Sequence, residues 1–177
     1  SMPVFGDSFP ARAFAMSERP ATDFTPGSLV QTGRDLDVAV TGNGWIAVQN
    51  PSGGESYVRT GSLNVDALGV LRAGNGMPVM GNGGPIAVPP EQQIEVGEDG
   101  TISIRAMGEG PRVMAEVDRI KLVNPDIKNM NKGLDGSIYT KDGQPAQADA
   151  NVKLVSGFLE SSNVNAVEEM TSVLALA

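Results

Sequence analysis

The chain has 177 residues, enough for one domain with its own core, and its 22 glycines and 12 prolines favour short strands and tight turns over long helices. A formal charge of −8 repels phosphate backbones, and Arg34, Arg59, Arg72, Arg105, Arg112 and Arg119 form no basic run, so no nucleic-acid partner is expected. With no cysteine and no histidine there is no disulfide, thiolate-zinc, Ser-His or Cys-His chemistry, and no stretch approaches the roughly 20 apolar residues of a membrane span, so no membrane insertion is expected.

Residues 1–28 carry Pro3, Pro10, Pro20 and Pro26 with no sustained period and read as an extended N-terminal arm. Residues 29–160 hold the β pattern and form the expected core domain. Val38 and Val40, a turn at Gly42-Asn43-Gly44, and Trp45, Ile46 and Val48 predict two strands about a hairpin turn. Tyr57-Val58-Arg59-Thr60, then Leu63, Val65, a turn from Asp66 to Gly69 and Val70-Leu71 continue as a meander. Glycines around Pro78-Val79-Met80, and Ile86-Ala87-Val88 between prolines, predict short edge strands.

Ile94 to Val96 and Thr101 to Ile104 flank Asp99-Gly100, for which a type I′ hairpin turn is expected. Val113, Ala115, Val117, Ile120 and Leu122 predict a further strand, and Ile138-Tyr139-Thr140 and Val152 to Val155 the last two. The fold class is therefore mainly β: an irregular multi-sheet or barrel-like domain of short antiparallel strands and hairpins, with a short C-terminal helix.

That helix is expected within residues 161–177, where Asn165 and Glu168 form a variant of the capping box. Val167, Met170, Val173 and Leu174 fall at helical spacing on one side, with Glu168, Glu169 and Ser172 opposite. No glycine, cationic last turn or proline closes it, which predicts the truncated start of a longer assembly helix; a terminal helix folding back on its own sheet is the alternative. Ser1-Met2 reads as a remnant ahead of a start methionine, so the natural chain is expected to extend further.

Reacting groups are scarce. Asp99-Gly100, Asp135-Gly136 and Asp142-Gly143 are read as turns, since none belongs to a calcium loop with a distal glutamate. The glycines from Gly74 to Gly84 match neither dinucleotide nor P-loop spacing. No cofactor, metal or catalytic residue is assigned. Trp45 is read as a core anchor rather than a sugar platform, because Ile46 and Val48 beside it already describe a packed strand. Asp35 and Asp37, with Glu168 and Glu169, are the carboxylates considered for an acid-base hydrolase, the lowest-ranked reading.

Leu36-Asp37-Val38-Ala39-Val40 with Gly42-Asn43-Gly44-Trp45, Tyr57-Val58-Arg59-Thr60-Gly61-Ser62-Leu63, Asp99-Gly100-Thr101-Ile102-Ser103 and Gly157-Phe158-Leu159-Glu160-Ser161-Ser162-Asn163-Val164-Asn165 follow one another in the order that resembles the flagellar rod and hook protein family. The resemblance covers roughly residues 25–175. Gly44-Trp45 and Gly84-Pro85-Ile86 are nearer the proximal-rod members, with a distal-rod or hook core as the alternative.

The resemblance implies a structural, non-enzymatic subunit of the basal body. It would form a periplasm-spanning tubular axle that carries torque from motor to hook, exported by the flagellar apparatus without a cleaved signal peptide. Partners would be further copies and related rod subunits. Family members carry long terminal helices packed as an inner layer; this stretch lacks most of them, which leaves the isolated core free to be monomeric. The glycine-rich β pattern alone is also compatible with an extracellular adhesin or carbohydrate-binding module.

Overall fold

A computed structural model describes residues 22–106, 108 and 113–161. In chain order the strands are β1 (Leu29–Gln31), β2 (Asp37–Thr41), β3 (Trp45–Gln49), β4 (Glu55–Val58), β5 (Thr60–Ser62), β6 (Asn64–Val65), β7 (Leu71–Arg72), β8 (Met80–Gly81) and β9 (Gly84–Pro85). They continue as β10 (Glu91–Val96), β11 (Thr101–Ala106), β12 (Ala115–Arg119), β13 (Leu122–Val123), β14 (Met130–Lys132), β15 (Ile138–Thr140), β16 (Lys153–Ser156) and β17 (Phe158–Glu160). One turn of 3-10 helix (Ile127–Asn129) precedes β14, with the Asp126 carboxylate accepting the Lys128 N–H.

All strand pairings are antiparallel and distribute over small sheets: β13-β3-β4-β15-β14, β16-β2-β5, β10-β11-β12, and the pairs β1-β17, β6-β7 and β8-β9. The fold is mainly β and multi-sheet, as its turn-rich composition implies, but no sheet closes into a barrel, which corrects the barrel-like form of the expectation. The predicted C-terminal helix lies outside the described residues.

β3 explains how the sheets share a core. Its side chains alternate, so Ile46 and Val48 enter the main cluster with Val38, Leu63, Leu71, Ile86 and Ile102, while Trp45 and Ala47 enter a second with Tyr57, Met130 and Ile138. A strand buried on both faces must be apolar without interruption, and Trp45-Ile46-Ala47-Val48 is.

Two expectations fail for local reasons. β2 and β3 do not form a hairpin: β2 pairs with β5 and β16, and β3 with β4 and β13. The turn between them is a corner at which the chain leaves one sheet for another, with Gly42 at φ +76° and Gly44 at φ +126°. The Asp99-Gly100 turn is not type I′, because Gly100 has φ +90° while every non-glycine described residue keeps a negative φ. The Thr101 N–H donates to the Asp99 carboxylate (3.0 Å), and the Gly97 and Gly100 N–H groups close the loop on Thr101 and Gly97 carbonyls, which holds Asp99 right-handed.

Candidate functional site: the stem where the chain enters and leaves the core

The two ends of the described chain run side by side. β1 and β17 pair in the register Gln31 with Phe158, Val30 with Leu159 and Leu29 with Glu160. Ser161 extends the ladder by donating its N–H to the Ser28 carbonyl (2.8 Å), and the Thr32 and Gly33 N–H groups both donate to the Gly157 carbonyl. Gly157 then turns at φ +82° and donates its own N–H to the Asp37 carbonyl (2.7 Å), which ties the stem to β2.

Gly27 lies so close to Ser161 that an added Cβ would collide with the Ser161 carbonyl oxygen, a backbone atom that cannot swing aside. Gly27→Ala is therefore expected to pry the incoming segment from the outgoing one. Amide hydrogen exchange of Ser161 should quicken by more than tenfold while β3 and β4 keep their protection; unchanged exchange at Ser161 would contradict the tight approach.

Arg59 is the pin of this stem. It sits between β4 and β5, where the chain returns from the five-stranded sheet to the sheet of β2, beside the β2–β3 corner. Its guanidinium donates through Nη1 to the Gly42 (2.6 Å) and Gly44 (2.7 Å) carbonyls and through Nη2 to the Val40 carbonyl (3.2 Å). Nε (3.0 Å) and Nη2 (2.6 Å), on one edge of the guanidinium, donate to the two Glu160 carboxylate oxygens. The two side chains are only 11% and 9% exposed. The guanidinium carbon also stands 5.7 Å from the Trp45 ring centroid, and the Glu160 N–H donates to the Thr60 hydroxyl.

Trp45 completes the joint. It is 7% exposed and meets Phe24, from the incoming segment, edge to face with centroids 6.0 Å apart. Arg59 and Phe24 cover most of its surface.

Two further clasps brace the same block. Tyr57, fully buried on β4, donates its hydroxyl to Glu55 (2.8 Å) and accepts the Ala146 N–H (2.8 Å), while Lys121 grips both Glu55 oxygens at 2.9 Å. Burial first, and then the Glu55 carboxylate, hold the phenol well above its ordinary value, so it stays a donor. Asp37 accepts from the Ser62 hydroxyl (2.6 Å) and Arg34 (2.8 Å). The hydroxyls of Ser62 and Thr32, and then Arg34, hold its carboxyl below the usual 3.8.

Asp66, Asp99, Asp135 and Asp142 are likewise held below 3.8: Asp66 first by Arg72, Asp99 by Thr101, Asp135 by Ser137, and Asp142 by the Gln144 N–H. Each folded-state value lies under the unfolded one, so the unfolded chain binds more protons in acid. The stability these groups contribute is fully present above about pH 5 and is lost as pH falls through and below 3.8. Melting temperature measured from pH 7 to pH 2 is expected to hold a plateau and then fall below about pH 4; a rise in acid would contradict these assignments.

An open cleft of about 410 Å³ runs along the stem between Phe24, Trp45, Arg59, Asn75, Asp135 and Glu160. Three of its charged groups are engaged in structure: Arg59 and Glu160 hold each other, and Asp135 accepts from Ser137 and Tyr139. Asp35 is exposed and Asp37 is locked in its own network, so these two do not converge on a cleft; Glu168 and Glu169 lie outside the described residues. Among the described residues no three His, Cys, Asp or Glu side chains could hold a metal ion. Asp99, Asp135 and Asp142 each accept the N–H two residues on, the turn role expected of them.

The assembly residues read from the sequence, Val167, Met170, Val173 and Leu174, lie outside the described residues. Sequence reasoning missed Arg59, Glu160 and Gly27. A signal for the first two was present: Arg59 is the single charge in Tyr57-Val58-Arg59-Thr60-Gly61-Ser62-Leu63 and Glu160 the single charge in Gly157 to Asn165, and their signs are opposite.

Comparison with known proteins follows the same strings. Residues 39–104 match the family model described as flagellar hook protein FlgE/F/G D1 domain, and residues 155–177 the one described as flagellar basal body rod FlgEFG protein C-terminal. The chain is 41% identical to the flagellar basal-body rod protein FlgF of Escherichia coli (strain K12), with 100% of this chain and 72% of that protein aligned. FlgF of Salmonella typhimurium (strain LT2) is 39% identical over the same shares. The flagellar basal-body rod protein FlgG of Buchnera aphidicola subsp. Acyrthosiphon pisum (strain APS) is 30% identical, with 85% of this chain and 59% of that protein aligned.

Proposed function

The chain belongs to the flagellar hook and basal-body rod protein family as a structural subunit of the basal-body rod, and from that premise we propose a place for it in the proximal rod. There it forms part of a periplasm-spanning axle, built from further copies and related rod subunits, that passes torque from motor to hook. The 41% identity to FlgF, against 30% to FlgG, supports the proximal assignment over the distal one.

The observation that carries the reading is the stem. A subunit that transmits torque cannot hang from its terminal segments on a free swivel, because rotation would then be absorbed at the joint. Here β1 and β17 are paired with each other, and Glu160 is locked to Arg59 inside the core, so the block and the segments leading from it turn together. The terminal stripe of Val167, Met170, Val173 and Leu174 is proposed to bury against other subunits, its ordering cost met only on assembly.

Deletion of the gene in its native bacterium is expected to abolish swimming in soft agar, and the full-length protein supplied in trans to restore it. Normal swimming of the deletion strain would remove the proposal.

A further inference from the structure

This inference rests on the rod reading and concerns how one subunit meets the next. Among the described residues no strand pairs with the outer edge of the five-stranded sheet at β14, and that edge carries an unusual surface. Leu134, at the tip of the β14–β15 turn, is fully exposed, and Ile127, at the other end of the strand, is 62% exposed. The turn that carries Leu134 is tied: the next residue, Asp135, accepts from the Ser137 N–H (2.9 Å), the Ser137 hydroxyl (2.7 Å) and the Tyr139 hydroxyl (2.7 Å). A turn already tied loses little backbone entropy on docking.

Charge defines the rest of the edge. Lys128 and Lys132 stand exposed between the two apolar residues, with Lys141 nearby, and no ion pair engages them among the described residues. Asp126, Asp135 and Asp142 balance them in sum, but accept from neighbouring backbone N–H groups. In a chain of net charge −8 this edge is locally neutral, and its lysines make no ion pair among the described residues.

The opposite character appears on the three-stranded sheet. Ile102 and Ile104 of β11 face the core, so Ser103 faces out, flanked in register by Glu95 of β10 and Glu116 of β12, both exposed. Of the cations on that sheet, Arg119 is paired with Asp99 at 3.3 Å and Arg105 stands in register with Gln93. Val113, just before β12, is 50% exposed beside this acidic row.

The two surfaces belong to different sheets and to different ends of the strand order. β12 runs through Ile120 and Lys121 into β13, which is one edge of the five-stranded sheet, and β14 is the other edge. Four strand spacings, about 19 Å, separate those edges. A patch and its complement on different surfaces allow a heterologous contact, which can pass from copy to copy.

We propose that the β14 edge of one copy, with Ile127, Lys128, Lys132 and Leu134, docks on the outward face of the three-stranded sheet of a second copy, setting lysines against Glu95 and Glu116. Two acidic chains repel less where their contact sets cations against carboxylates, and these two surfaces offer such a match.

Charge exchange in the full-length protein, expressed in its native bacterium without the endogenous copy, tests this. The pair Lys128→Glu and Lys132→Glu should lower the amount of protein recovered in purified basal bodies by about tenfold. Glu95→Lys and Glu116→Lys should do the same, and all four together should restore recovery. Because the chain has no cysteine, Leu134→Cys and Glu116→Cys introduced in two co-expressed copies report the contact directly as a disulfide-linked dimer, with Leu134→Cys and Ser52→Cys as the control pair.

Rescue by the four-fold exchange and a dimer only from the first cysteine pair support the contact. No rescue, equal dimer from both pairs, or a cross-link from Leu134→Cys to a different rod protein overturns it. Absence of the unaltered chain from basal bodies would instead remove the rod reading, and this contact with it.

Discussion

Replacing Arg59 with methionine is expected to destabilise the core by about 3–5 kcal/mol, the range for removing one partner of a buried ion pair. Methionine fills much of the same space but leaves the Glu160 carboxylate buried without its cation and the carbonyls of Val40, Gly42 and Gly44 without their donor. For a domain of this size the loss amounts to a melting temperature lower by on the order of 10 °C. Urea denaturation measures it; a midpoint within error of the parent protein would show that the pin is ornamental. Glu160→Gln, which keeps an acceptor for Arg59, should cost clearly less, and that ordering separates the loss of charge from the loss of shape.

Gly44→Ala should be comparably damaging for a different reason. Gly44 has φ +126°, where an L side chain is strained, and an added Cβ would press on both methyl groups of Val152 and on the Val123 carbonyl. Strain and overpacking together predict about 2–5 kcal/mol. Gly42→Ala is the informative partner, since Gly42 has φ +76° but open space around its Cβ position, so it should lose only the conformational part. Equal destabilisation of the two variants in thermal melts would mean that the contact with Val152 carries no weight.

These two residues also mark where sequence reading stops. Short apolar runs within Asp37 to Thr41 and Trp45 to Gln49 announce strands, and both are there. Such runs report only that a strand is buried, and a glycine turn between two strands reads as a hairpin whether or not the strands pair. What sends β3 to a different sheet is the Arg59 guanidinium lodged behind the corner, a contact between residues 15 and 17 positions apart. The Ile94 to Ile104 hairpin was legible because its pairing is local, and even there the Asp99 side chain decided the turn type.

The stem was the least legible part. β1 and β17 have three residues each, too few to show a period, and they join positions about 130 apart in the chain. Leu29 and Val30 are exposed, so even the burial signal is missing. Glu160 stood in plain view within a motif string, but a lone carboxylate in a short strand reads as a solvated face until its cation is located in space.

The central claim is that this β block is a rod subunit carried rigidly on its stem. Imaging purified basal bodies of the native bacterium by cryo-electron microscopy tests it most directly. The account predicts density for the β core in the proximal rod wall, with β1 and β17 directed toward the hollow axis; a rod without that core, or one in which the stem points away from the axis, would contradict it.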